Sequence, residues 1–155
     1  MSFTSHMHAA LTEARAAAAR GEVPVGAVVI DPDGTVVARA GNRTRALNDP
    51  TAHAEMLALR AACDAVGRER LTGFDLYVTL EPCAMCAAAI SLARISRLYY
   101  GAPDAKSGGV AFGARVFSHA QCHHKPQVYD GIAATEAQAL LQAFFKAKRP
   151  PKTSP

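Results

Sequence analysis

Four residues have types and spacing suited to metal-dependent hydrolysis. They are His53 and Glu55 in "TAHAEMLALR", and Cys83 and Cys86 in "TLEPCAMCAAA". A Cys-x-x-Cys pair at the start of a helix suits two chemistries: thiols there can exchange disulfides, or two thiolates can hold a metal. The residues upstream break the tie. His53 lies thirty positions ahead of Cys83, and one imidazole with two thiolates suits a tetrahedral zinc site. Three protein ligands leave the fourth position to water, as in catalytic rather than structural zinc sites, and zinc lowers the pKa of such a water toward about 7. Glu55 would then stand close to the metal, better used as a proton carrier than as a further ligand.

These residues need elements that bring them together. Helical periodicity runs from about Phe3 to Arg20 and stops at Gly21. "VPVGAVVID" and "TVVARAG" read as two strands of a hairpin joined through "DPDG". A polar loop, "NRTRALNDPT", leads to a helix over roughly Ala52 to Val66, and "FDLYVTL" is a third strand. A helix from near Cys83 to about Arg94 follows, then "SRLYYGA" as a fourth strand. The stretch from Pro103 to His124 is Gly-rich and irregular, "KPQVYDG" holds a short fifth strand, and an amphipathic helix covers about Thr135 to Lys148.

Mid-helix, positions i and i+2 point to different sides, so His53 and Glu55 could not share a site there. At a first turn both side chains can reach past the helix end. Two helix N-termini would then face each other across the site, and their dipoles would favour thiolate over thiol. The element order indicates an α/β sandwich with part of the sheet parallel.

At 155 residues, half of them hydrophobic, the chain is expected to make a single domain over residues 1–155, with a flexible basic tail at about 149–155. No apolar run approaches the roughly 20 residues that span a bilayer. The N-terminal segment lacks a basic cluster followed by an apolar core, so a cytoplasmic location is expected. Charge is uneven. Residues 1–81 carry 8 Lys/Arg against 10 Asp/Glu, and residues 82–155 carry 9 against 3. Lys146, Lys148, Arg149 and Lys152 close the chain, which fits either a solvated tail or a polyanion contact.

The combination H-x-E with P-C-x-x-C resembles the signature of zinc-dependent nucleobase deaminases. The similarity extends to "EVPVGAVV", "GNR", "NDPTAHAEMLALR", "LYVTLEPCAMCAAAI", "YGAPDAKSGG" and the final "LLQAFFKAKR", which resemble the bacterial tRNA-specific adenosine deaminases. The resemblance implies a three-layer α/β/α cytidine-deaminase-like fold with a central mixed sheet of about five strands. It implies conversion of adenosine to inosine at the wobble position of a tRNA anticodon, and a homodimer with one zinc per subunit. Carried over by position, His53, Cys83 and Cys86 would bind zinc and Glu55 would shuttle the proton. Asn42 would hydrogen-bond the base, and Asp104 would lie beside the RNA. Phe144, Phe145, Lys146 and Arg149 would contact the anticodon loop, stacking on bases and pairing with phosphates. Both phenylalanines could instead pack the last helix onto the core.

The chain departs from the family pattern after "DAK". Cys122, His123 and His124 fall in this region, and Cys63 and Cys122 read as ordinary thiols. Three rivals remain. One is a zinc-dependent deaminase of a free base or nucleoside (guanine, cytosine or cytidine), for which the basic second half would have no use. Another is a non-catalytic zinc-stabilised RNA-binding module, which would leave Glu55 idle. The third is a thiol-redox protein without metal.

Overall fold

The computed structural model describes residues 5–148; Arg149 and the expected tail at 149–155 lie outside the described residues. Helix α1 (Met7–Ala19) buries Met7, Ala10, Leu11, Ala14 and Ala17, the 3–4 spacing of a helix lying along a sheet. It ends in a Schellman motif. Gly21, at φ +82°, donates to Ala18 O (3.0 Å), and Glu22 donates to Ala17 O (2.9 Å). Strand β1 (Gly26–Ile30) is buried at every position, as expected of a strand covered on both faces. Gly26 is required there, because a Cβ would stand 2.5 Å from the Ala14 amide nitrogen of α1. The turn into β2 (Val36–Gly41) is closed by Asp31 Oδ1, which accepts from the Asp33 and Thr35 amides at 2.9 Å.

Helix α2 (Ala54–Val66), β3 (Asp75–Leu80), α3 (Ala84–Leu92), β4 (Arg97–Ala102), β5 (Gln127–Tyr129) and α4 (Ala134–Lys148) complete the chain. The sheet order is β2-β1-β3-β4-β5. Strand β1 runs antiparallel to β2 and β3, while β3, β4 and β5 are mutually parallel neighbours. One sheet face, through Ala27, Val29, Leu76, Val78 and Leu98, packs on Ala54, Ala58 and Ala62 of α2 and Ile90 of α3. The other face, through Val28, Ile30, Tyr77 and Tyr99, packs on Met7, Ala10 and Leu11 of α1 and Ala137 of α4. The three-layer α/β/α fold with a mixed five-stranded sheet is therefore as expected.

The expected boundaries are broader than the elements by one to four residues at most ends, the expected first-helix start at Phe3 lies outside the described residues, and α4 begins one residue earlier than expected. The segment from 103 to 124 is irregular as expected, apart from one 3-10 turn at Val116–Ser118. No helix among the described residues is long and apolar enough to cross a membrane.

Candidate metal centre and its cleft

The N-termini of α2 and α3 meet at the carboxyl end of β3. His53 is the N-cap of α2, with extended backbone (φ −72°, ψ 153°), and Cys83 is the N-cap of α3 (φ −70°, ψ 174°). Neither side chain makes a capping hydrogen bond, so both are available to a ligand. This resolves the spacing of His53 and Glu55: the first is outside the helix and the second in its first turn. Cys86 comes from the first turn of α3 and is fully buried.

The ligand atoms of His53, Cys83 and Cys86 lie within 4.8 Å of one another, the only such metal-ready cluster among the described residues. His53 Nδ1 is 3.6 Å from Cys83 Sγ and 3.5 Å from Cys86 Sγ. Zinc bonds of about 2.0–2.1 Å to nitrogen and 2.3 Å to sulfur, at a tetrahedral angle, would set such pairs about 3.6 Å apart. Donor chemistry and spacing both fit zinc.

The cluster's proton affinities agree. Hydrogen bonds from Cys86 and then His53 hold the Cys83 thiol down to about 4, which favours its thiolate form. The hydrogen bond to Cys83 pushes Cys86 up, with burial adding to the effect, and the hydrogen bond to Cys83 also raises His53. A divalent cation would displace the shared protons. Glu55 is 4% exposed, and burial pushes its carboxyl up to about 7 against the opposing pull of its own backbone hydrogen bond.

A cavity of about 260 Å³ opens onto this centre, lined by His53, Glu55 and Cys83 with Val23, Val25, Asn42, Thr44, Asp104 and Ser107. The expected Asn42 and Asp104 are thus brought to the same cleft. Asn42 has a structural part as well. Its Oδ1 accepts from the Ala54 amide at 2.8 Å, satisfying the first free N–H of α2 in place of the diverted N-cap, which leaves Nδ2 as the side chain's remaining donor. The cavity shares Val23, Leu80, Asp104 and Ser107 with an outer groove of about 1070 Å³, whose far wall is Leu141, Phe145, Lys146 and Lys148.

Helix α4 is held to the sheet by Ala137, Leu140 and Leu141. Phe144 is half-buried with Lys148 Nζ 5.2 Å from its ring centre, and Phe145 is 47% exposed. Arg149 lies outside the described residues.

Sequence reasoning passed over Glu22 and Glu81, each 2% exposed. Glu22 accepts from the Arg45 and Ala46 amides at 3.0 and 3.1 Å, fixing the wall that carries Thr44. Glu81 does the same for the opposite wall. The only sequence signal was the glycine pair at 108 and 109, because the partners are backbone amides that any residue supplies. Cys122 and His124 lie away from the metal centre. Ser91 Oγ donates to His124 O (2.6 Å), Cys122 Sγ donates to the same oxygen (3.1 Å), and His124 Nε2 lies 2.6 Å from Ile95 O. They tie the irregular segment to the end of α3.

Residues 2–102 match the family model of the cytidine and deoxycytidylate deaminase zinc-binding region. The chain is 61% identical over 146 residues to the tRNA-specific adenosine deaminase of Agrobacterium fabrum, covering 94% of this chain and 95% of that one. A structure solved in a study of A-to-I editing by tRNA:A34 deaminases at the wobble position matches with TM-score 0.85 and 62% identity, over 87% of this chain and 97% of that one. Guanine deaminase from Nitrosomonas europaea shares the fold, with TM-score 0.79 and 22% identity over 93% of this chain and 86% of that one. The chain thus belongs to the tRNA-specific adenosine deaminases, within the cytidine and deoxycytidylate deaminase zinc-binding family.

Proposed function

We propose that this protein hydrolyses adenosine to inosine at the wobble position of a tRNA anticodon, with His53, Cys83 and Cys86 as zinc ligands. The observation that carries this reading is the continuity of two spaces. A base-sized cavity with the donor cluster and Glu55 in its wall opens into a groove bordered by Phe145, Lys146 and Lys148. A free base would fill only the inner space, whereas a flipped nucleotide with its neighbours would occupy both.

The zinc, when bound, supplies a Lewis acid that makes water a competent nucleophile near neutral pH. Glu55 does the proton work. Its carboxylate accepts the proton that the attacking water releases, delivers it to the purine ring nitrogen N1 as C6 is attacked, and then assists departure of the amine as ammonia. Burial suits it to this cycle, because it raises the carboxyl above the usual carboxylate range, toward a group that both accepts and returns a proton near neutral pH. Asn42 Nδ2 and Asp104 orient the nucleotide within the cleft. Phe145 offers a stacking face, and Lys106, Lys146 and Lys148 offer phosphate contacts.

We infer a homodimer, and the opposite side of α2 and α3 supports that reading. Leu92 is 73% exposed at the end of a groove of about 870 Å³ lined by Met56, Leu59, Cys63, Ala89 and Ala93, an apolar surface that a second copy would cover. A tRNA substrate supports a cytoplasmic location. The test compares ammonia release from an anticodon stem-loop with that from free guanine, cytosine and adenosine. The stem-loop is expected to be the substrate, and turnover of the free compounds alone would assign the chain to small-molecule deamination.

A further inference from the structure

Glu81 occupies the short link between β3 and the metal-ligand residue Cys83, and it is 2% exposed. Its Oε1 accepts from the Asp104 amide at 3.1 Å. Its Oε2 accepts from the amides of Val110, Ala111 and Phe112 at 3.2, 3.0 and 3.2 Å. The next residue joins in, since Pro82 O accepts from the Gly109 amide at 2.8 Å. Five backbone hydrogen bonds from one loop therefore land on the two residues that precede Cys83. A carboxylate gathering successive amides is a strong anchor, because each bond is charge-assisted and shielded from water.

The glycines of "SGG" make this approach possible. A Cβ on Gly109 would lie 2.5 Å from Ala84 N and 2.7 Å from the Cys83 carbonyl carbon, and one on Gly108 would collide with Glu81 Oε2 and with Asp104 O. The anchored loop is also the one that faces substrate. Asp104 and Ser107 line the inner cavity beside Glu81 itself, and Ala105 and Lys106 line the outer groove.

We propose that Glu81 is a positioning residue for the deamination: it registers the rim loop of residues 104–112 against the zinc-ligand segment, so the substrate meets a preformed wall. The proposal rests on the function given above for the kinetic part of its test. Without the carboxylate, the loop must be ordered at each binding event, which weakens binding and leaves the chemical step at Glu55 in place.

The experiment uses the zinc-loaded full chain carrying Glu81→Gln, which keeps the shape but turns an N–H2 toward amides that need acceptors. Exchange of the Val110, Ala111 and Phe112 amides with solvent deuterium is expected to quicken at least tenfold, while α3 and β4 stay protected. Zinc content should remain one per chain. KM for an anticodon stem-loop should rise about tenfold with kcat changed less than about threefold, as removal of a binding contribution predicts. Gly108→Ala, which leaves the carboxylate in place but forces the loop away from it, should behave alike and serves if Glu81→Gln does not fold.

Unchanged exchange at residues 110–112 in the folded variant would overturn the proposal. So would joint loss of zinc and kcat, which would mean that Glu81 supports the metal segment rather than the loop. The exchange measurement needs no substrate, so a wild-type protein inactive on the stem-loop would count against the functional reading without deciding the fate of Glu81.

Discussion

The floor and the rim of the cleft draw on the chain in different ways. The floor takes His53 and Cys83 from two helix N-caps and Cys86 from the first turn of α3, with donor atoms within 4.8 Å of each other. Each supporting element has a buried face, and the packing of α2 and α3 on one sheet face fixes the spacing. The rim takes Asp104, Lys106 and Ser107 from an irregular loop, and Phe145, Lys146 and Lys148 from the last turns of α4, and all three lysines and Phe145 are exposed. Chemistry at the floor needs sub-ångström placement, which rigid elements supply. Recognition at the rim adds contacts that are individually modest and can be spread out.

The two regions should therefore break differently under mutation. The largest effect is expected at the floor. Cys83→Ser removes one of three donors, and metal analysis after purification should find zinc lost and turnover at background; retained zinc with full activity would remove Cys83 from the centre. Glu55→Ala should keep zinc and fold while lowering kcat about 10²- to 10⁴-fold, the usual contribution of a positioned acid–base group. Steady-state kinetics with parallel zinc assay checks this, and near-normal kcat would end the proposed role.

Rim changes should be smaller and fall on KM. Phe145→Ala is expected to cost about 1–3 kcal/mol of stacking on a single-stranded base, visible as a raised KM for the stem-loop with kcat held. Smallest of all, Lys146→Ala should reduce the slope of log affinity against log salt by about 0.7, one phosphate contact on a single strand. A salt slope identical to wild type would place Lys146 outside the RNA path.

The same contrast explains what could be read from the sequence. The zinc ligands and Glu55 stood out because each pair lies within one turn of chain, and the rare residue types survive as a local pattern. The α/β order was legible because strand and helix periodicities differ and the hairpin turn carries Asp, Pro and Gly. The Asn42 bond to Ala54, the Glu22 bonds to Arg45 and Ala46, and the Glu81 bonds to residues 104–112 were not legible. Their partners are backbone amides between 12 and 31 positions away, and backbone carries no sequence signature. Only the paired glycines at 108 and 109 hinted that a loop passes close to something. Cys122 and His124 likewise gave no sign of closing on Ser91 and Ile95, because those contacts form only once α3 and the following loop are packed.

The central claim is that Glu55 and the His53–Cys83–Cys86 centre act on the wobble adenosine of tRNA. Inosine mapping on total tRNA incubated with the pure zinc-loaded protein tests it most directly. The account predicts inosine at the wobble position of tRNAs that carry adenosine there, and none when Glu55→Ala is used under the same conditions. Unmodified wobble adenosine after treatment with zinc-loaded wild-type protein, or inosine formed equally by Glu55→Ala, would contradict it.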